Sequence, residues 1–374
     1  MTLLRAEALP GLAAIAALTG YAALFLHAES QAAVLGLVAL AAIGVPLLAR
    51  LGWISRASTS LDKNKAGARI AIAMALGAIV VLFYDQHFVM LMIASVLLYT
   101  VACLGLTVQF GYAGVVNFAG AAFLGVGGYA AAKLAPHLPH ALVLLVGGAL
   151  AALVGSILLL PILRTRGHYA ALITVAFGLL FRTFIEVNDS LGGPQGLQVK
   201  GMSLFGWDLN SSLGAVSFYT NYAIVALGLA AGAFVLVRRL ERSWVGLSLD
   251  AVRLDETACA VFGIDVARWK ILAFTFGNFF AGVAGAVYAM MTGFVAPNSF
   301  TFGDSLILVS IVLLGGLGNP WGVALAASIV LVLPEKLQAL QEYRFLLYAV
   351  LVILVLLVRP AGLVPRRARE YFSR

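Results

Sequence analysis

The chain has 374 residues, of which 62% are hydrophobic and 11% charged, and its mean hydropathy is +1.02. A soluble globular chain carries about 25% charged residues, so this composition excludes a soluble domain and predicts an all-α polytopic membrane protein. The net charge of +8 then reads as membrane topology and not as nucleic-acid binding.

Apolar runs near the ~20 residues that cross a bilayer predict spans at roughly 10–27, 31–49, 69–87, 88–106, 111–132, 141–162, 168–187, 216–237 and 270–291. A compound stretch follows at 305–333, then a last span at 345–358. The N-terminus lacks the basic start and small-residue cleavage site of a signal peptide, so Pro10 to Leu26 reads as a retained first span. Three regions emerge: N-terminal helices with a basic loop at 1–87, a core at 88–366 that includes the central loop 238–269, and a tail at 367–374. Basic residues collect in alternate loops. Arg50, Arg56, Lys63, Lys65 and Arg69 lie in 50–69, and Arg164 and Arg166 in the turn 163–167. Arg238, Arg239, Arg242, Arg253, Arg268 and Lys270 lie centrally, and Arg359, Arg366, Arg367, Arg369 and Arg374 in the tail. The intervening loops are poor in charge. The positive-inside rule puts the basic set, and with it both termini, in the cytoplasm.

Parity then constrains the compound stretch. With 292–304 outside and the basic tail inside, a single span at 305–333 would send the tail arginines outward. A turn at Gly315-Gly316-Leu317-Gly318-Asn319-Pro320-Trp321-Gly322 removes the conflict. It leaves two short helices, about 305–316 and 322–333, each ~18 Å long at the helical rise and short of the ~30 Å core. Broken helices of this kind survive only inside protein or beside a cavity. The expected total is about 10–12 transmembrane or partial helices.

A second unusual stretch runs from Gly111 to Tyr129, with Gly111, Gly114, Gly120, Gly125, Gly127 and Gly128 around the amide of Asn117. Small residues let membrane helices approach closely. A glycine-rich stretch with a polar side chain also fits a discontinuous helix at a translocation pathway. The two readings can both hold. Thr174 lies mid-span and can bond to its own backbone. Arg182 and Glu186, four apart, read as a local ion pair or as snorkelling residues. The outer loop Leu191 to Gly196 has the composition of an ordinary turn.

The central polar stretch Arg238 to Asp265 is framed like one short helix. Ser248 can cap it, Asp250 sits in its first turn, and Gly263 fits the C′ position. Val252, Ala258, Val261 and Phe262 are expected on one face, with Arg253, Asp255, Glu256 and Thr257 polar. Such a helix docks into a groove on another protein or lies on the membrane surface.

Several chemistries have no visible residues. The chain has no G-x-x-x-x-G-K-[ST] phosphate loop and no Gly-Lys pair, so it carries no ATPase of that class. It has no G-x-S-x-G or H-E-x-x-H motif. His137 and His140 flank Pro139 with weak metal spacing, and Cys103 and Cys259 suggest no disulfide framework. Carboxylates at mid-membrane depth, which ion-coupled carriers usually need, are lacking. These features imply a transport pathway with an external energy source; the alternative is an ion-coupled secondary carrier for a small organic solute.

Five blocks over about residues 88–366 resemble the LivM-type permease subunit of branched-chain amino acid ABC importers. They are Gly111-Tyr112-Ala113-Gly114 with Phe118 to Phe123; Leu163 to Tyr169; Gly192-Gly193-Pro194-Gln195-Gly196; Asp255 to Gly263; and Val312 to Gly322 followed by Arg359-Pro360-Ala361-Gly362-Leu363. The resemblance implies an ABC importer permease fold in a bacterial inner membrane. Its partners would be a LivH-type second permease, two LivG/LivF-type ATPases that hold ATP and Mg, and a periplasmic substrate-binding protein. Asp255, Glu256, Ala258 and Gly263 would then couple to an ATPase, and Gly192 to Gly196 would face the binding protein. Tyr112, Asn117, Phe118 and Thr174 are expected to line the pathway. The chain has Leu179 next to Gly178, where relatives often have an acidic residue, and Asn117 where relatives commonly show a small or hydroxyl residue. The substrate therefore stays open among leucine-like and other amino acids, urea or amides, and aromatic acids.

Overall fold

A computed structural model describes residues 2–337 apart from 29, 54–55, 58–59, 61–64, 164–168 and 212–215. Beyond 337 it describes 343, 346, 349–350, 352–353, 357, 360–364 and 366. The basic turn with Arg164, Arg166 and His168, most of the predicted span 345–358 and the tail 367–374 therefore lie outside the described residues.

The helices are α1 (Thr2–His27), α2 (Gln31–Arg50), α3 (Lys65–Leu82), α4 (His87–Thr107), α5 (Gly120–Leu134), α6 (His140–Leu163) and α7 (Tyr169–Val187). They continue with α8 (Phe218–Arg242), α9 (Trp244–Leu254), α10 (Glu256–Val261), α11 (Val266–Thr292), α12 (Phe302–Gly315) and α13 (Pro320–Lys336). Two short antiparallel ladders, one of them a hairpin, sit at the end opposite α9 and α10. There β1 (Leu197–Gln198) pairs antiparallel with β4 (Phe294–Val295), and β2 (Ser203–Leu204) with β3 (Trp207–Asp208).

In lipid both faces of a span are apolar, so side-chain size rather than polarity marks the inner face. Helix α6 shows this. Val143, Gly147, Ala151, Gly155 and Leu159 recur every four residues and are buried, while Leu145, Leu153, Ile157 and Leu160 are exposed. Helix α11 is the central post. A Cβ on Gly127 of α5 would collide with the Gly282 carbonyl, and one on Gly285 with the Leu124 carbonyl, so the two backbones touch directly. Gly105 of α4 meets Gly277 of α11 in the same way.

Among the described residues six helical stretches are long and apolar enough to cross a membrane, or seven if Ala171–Val187 and Asp189–Gln195 are joined across a 93° bend. The predicted span 111–132 is not one helix. It is split at residues 113–119, and α5 keeps only 15 residues. The compound stretch turns as parity requires: α12 ends at Gly315, the chain reverses, and Asn319 caps α13 by accepting from the Trp321 N–H. Gly315 and Gly322 are in backbone contact across this hairpin. Helix α12 has 14 residues and α13 has 17, ~21 and ~26 Å at 1.5 Å per residue. At its far end, Lys336 donates to the carbonyls of Leu26 and Ala28, beside the α1–α2 turn.

Candidate functional site

Helix α4 does not stop at Thr107. It runs on through one π turn, Val108–Tyr112, and then the chain leaves helical geometry until Gly120. Gly111 is in backbone contact with Gly318 of the α12–α13 turn, and Gly114 has φ +68°. A β-carbon is excluded at the first position and strained at the second. Non-helical backbone at membrane depth must find partners inside the protein. Here the Val115 N–H donates to Gln109 O (2.9 Å), Phe118 N–H to Thr174 Oγ1 (3.0 Å), Ala119 N–H to Asn117 Oδ1 (2.9 Å) and Ala121 N–H to Ser305 Oγ (3.1 Å).

Three buried amides knit the break to α11. Asn117 Nδ2 donates to Gln109 Oε1 (2.9 Å) and Asn278 Oδ1 (3.2 Å). Gln109 Nε2 donates to the same Asn278 oxygen (3.0 Å) and to Phe274 O (3.1 Å). All three side chains are almost wholly enclosed. Asn278 Nδ2 is turned toward Gly155, where a β-carbon would collide with it, and has no hydrogen-bond partner among the described residues.

The structure brings three of the four predicted pathway residues together. Asn117 is enclosed, with both its oxygen and its nitrogen engaged. Thr174 accepts from Phe118 and donates to Ala171 O (2.7 Å). Phe118 is half-buried and meets Phe110 edge-on, with centroids 6.4 Å apart. Tyr112 stands apart, buried at the end of the π turn. The Arg366 guanidinium lies 4.6 Å from its ring centroid. Gln109, Asn278 and Arg366 are missing from the sequence-derived site. The first two had a signal, since each is an amide inside an apolar run, Thr107-Val108-Gln109-Phe110-Gly111 and Phe276-Gly277-Asn278-Phe279-Phe280.

The central stretch is two helices, not one. Ser243, not Ser248, caps α9, its Oγ accepting from the Gly246 N–H, and Ser248 lies inside α9 with its hydroxyl on Trp244 O (3.1 Å). Asp255 then ends α9 and caps α10, accepting from the Thr257 and Ala258 N–H groups (both 2.9 Å). A side chain that satisfies the first free N–H groups of a new helix competes with continuation of the old one. Gly263 closes α10 at φ +77°. The expected single apolar face divides as a result: Val252 is buried, whereas Ala258 is exposed and Val261 and Phe262 are 80% and 82% exposed, beside Leu254 at 77%. Asp250 is not in a first turn but in the body of α9, where it faces Arg366. Glu256 is bridged to Lys270 on α11 (2.6 Å).

At the opposite end, Asn188 caps a short turn, and Gly192, Gly193 and Gly196 have φ of +83°, +52° and +73°. Gly196 abuts the Val295 carbonyl, which docks this loop on the β1–β4 ladder and leaves Pro194 and Gln195 exposed. Arg182 pairs with Glu186 (2.8 Å) and donates to Asn298 Oδ1 (3.0 Å), tying α7 to the same cap.

Residues 88–358 match the family model described as branched-chain amino acid transport system / permease component. The chain is 34% identical over 289 residues to the high-affinity branched-chain amino acid transport system permease protein LivM of Escherichia coli (strain K12), covering 72% of this chain and 68% of that one. It is 24% identical over 328 residues to the probable branched-chain amino acid transport permease protein LivM of Methanocaldococcus jannaschii, covering 72% and 91%. It is also 22% identical over 287 residues to the permease protein LivH of Salmonella typhimurium, again covering 72% and 91%. No solved structure matches it.

Proposed function

The chain belongs to the branched-chain amino acid transport system permease family, and from that premise we propose how its parts divide the work of an ATP-driven importer. It is a multi-pass permease subunit and not itself an enzyme. Its partners are a second, LivH-type permease, two ATPases that carry ATP and Mg, and a binding protein on the outer side of a bacterial inner membrane. The observation that carries this reading is the α9–α10 element. It lies between two long spans, presents exposed Leu254, Val261 and Phe262, and is rigidly capped by Asp255 and Gly263. An exposed apolar knuckle on a capped helix pair suits a groove on a partner. Asp255, Glu256, Ala258 and Gly263 set its shape, and an ATPase on the cytoplasmic side occupies it.

The Gly192–Gly196 loop, with Pro194 and Gln195 outward, is the surface for the binding protein at the other end. Between them the broken span carries Tyr112, Asn117 and Phe118, with Thr174 of α7 held against it by the Phe118 N–H, and a backbone released from helix can shift there with little loss of helical hydrogen bonding. Closure of the ATPases would move α9–α10 and shift the permease between two states. The ion-coupled alternative finds no support: among the described residues the buried carboxylates are Glu241 and Asp250, both at the α9 end.

The test is uptake of radiolabelled leucine into proteoliposomes holding the complete complex, with its binding protein outside and ATP inside. ATP-dependent uptake, lost with Phe262→Asp together with ATPase co-purification, supports the reading. Uptake by this chain alone, driven by an ion gradient without ATP, overturns it.

A further inference from the structure

We propose that Arg366 is a positioning residue that couples α9 to the broken span, its ion pair with Asp250 acting as the clasp. The inference rests on the assignment of α9–α10 to the ATPase side and goes one step inward from it.

The geometry at this residue joins three parts of the chain that lie far apart in sequence: α9, the break after α4 and the segment beyond α13. Arg366 donates from Nη1 to Asp250 Oδ1 (2.8 Å) and from Nη2 to Asp250 Oδ2 (2.9 Å), across 116 residues of sequence. This is the two-pronged arrangement that the guanidinium plane favours. Both side chains are mostly enclosed, at 14% and 12% exposure. The same guanidinium lies over the Tyr112 ring, and its Nη1 is 3.5 Å from Gly111 O, at the point where α4 breaks. Glu241 at the end of α8 stands 3.7 Å from its Nε and is itself bridged to Arg238 (3.0 Å).

The backbone that delivers Arg366 is held just as firmly. Leu363 N–H donates to Leu314 O (2.8 Å), Val364 N–H to Gly315 O (3.2 Å), and Asn319 Nδ2 to Val364 O (3.1 Å). The segment is therefore strapped along the α12–α13 turn. A Cβ on Gly318 would lie 2.9 Å from Arg366 Cδ and 3.3 Å from the Tyr112 ring, so glycine there admits both. A second contact repeats the link without the charge: Gly114, in the break, packs on the aliphatic stem of Arg253 from α9.

Burial disfavours the guanidinium's charge. The hydrogen bonds and charge of Asp250, with Tyr112 and Glu241 behind it, outweigh that and leave the Arg366 pKa raised. The Arg366 guanidinium therefore stays charged at physiological pH. A two-pronged bond between enclosed groups transmits displacement, because stretching either prong strands a buried charge. Movement of α9 pulls on Arg366, and Arg366 carries Tyr112 and Gly111 with it. A residue that only fastened the tail would leave the ratio of solute moved to ATP spent unchanged.

The experiment uses the complete complex in proteoliposomes, with leucine uptake and ATP hydrolysis read on the same sample and assembly checked by size exclusion. Arg366→Ala and Asp250→Ala should keep ATP hydrolysis within about twofold while uptake per ATP falls about 5- to 150-fold, the range of typical coupling between sites. The exchange Asp250→Arg with Arg366→Asp should recover part of the loss, and Arg366→Lys should fall between. An assembled Arg366→Ala complex with unchanged uptake per ATP overturns the proposal. So does loss of uptake and hydrolysis in equal proportion in both Arg366→Ala and the milder Arg366→Lys. Uptake by the unaltered complex that needs no ATP would instead refute the importer reading on which the clasp depends.

Discussion

Gln109 in the π turn and Asn117 inside the break lie eight residues apart, and the amide of Asn117 donates to the side-chain oxygen of Gln109 at 2.9 Å. Their shared third partner is Asn278, near the middle of α11. A span interrupted for seven residues is thus held by side chains where a continuous helix would use its own backbone.

Replacing Asn117 with leucine removes bonds to Gln109, Asn278 and the Ala119 N–H and leaves buried polar atoms behind. The expected cost is about 1–3 kcal/mol, seen as a lower melting temperature in detergent, together with loss of uptake. Unchanged transport in Asn117→Leu would show that the break carries no part of the pathway.

Thr174→Val should sever the bond that receives the Phe118 N–H, whereas Thr174→Ser should retain it. The valine variant is expected to lose about 1 kcal/mol of stability, the net worth of one hydrogen bond, and to reduce uptake more than the serine variant. Equal behaviour of the two in paired melting and uptake measurements would refute a role for the hydroxyl.

The glycines of α5 are testable as packing residues. Gly127→Val forces a side chain into the Gly282 backbone and should cost at least about 1–3 kcal/mol, read as loss of folded protein on size exclusion. Gly228→Ala on α8 is the control, because a Cβ there meets nothing within 4 Å. It should be neutral, or stabilising by up to about 1 kcal/mol from helix propensity.

In the α9–α10 element, Asp255→Ala removes the bonds to the Thr257 and Ala258 N–H groups and should cost about 1 kcal/mol of local stability. Gly263→Ala places a β-carbon at φ +77°, a strain of about 1–2 kcal/mol. Both should weaken ATPase co-purification without lowering the amount of folded permease. Phe262→Asp, which leaves the helix caps intact, should do so more strongly.

Much of the architecture was legible before any coordinates. The α12–α13 hairpin follows from arithmetic: with 305–333 as a single span the count is odd, one crossing short for a basic tail on the same side as the other basic loops, and Gly315 to Pro320 is the place where a helix can turn. The ion pair of Arg182 with Glu186 follows from spacing alone. The central stretch was legible as an amphipathic, glycine-terminated element but not as two helices. Ser243, Ser248 and Asp255 all have capping side chains, and which of them caps depends on where α8 releases the chain.

By itself the sequence determined that the chain spans a membrane repeatedly, which segments carry its charge, where the α12–α13 hairpin turns and which family it resembles. These are properties of composition and of neighbours in the chain, and local chemistry suffices for them. Only the tertiary structure decided that Gln109, Asn117 and Asn278 share one network, and that Arg366 reaches Asp250 and Tyr112 across 116 residues and more. Partner choice among buried polar groups depends on which backbones approach closely enough. Here that approach is set by glycines on different helices, Gly111 against Gly318 and Gly105 against Gly277, whose meeting no local pattern records.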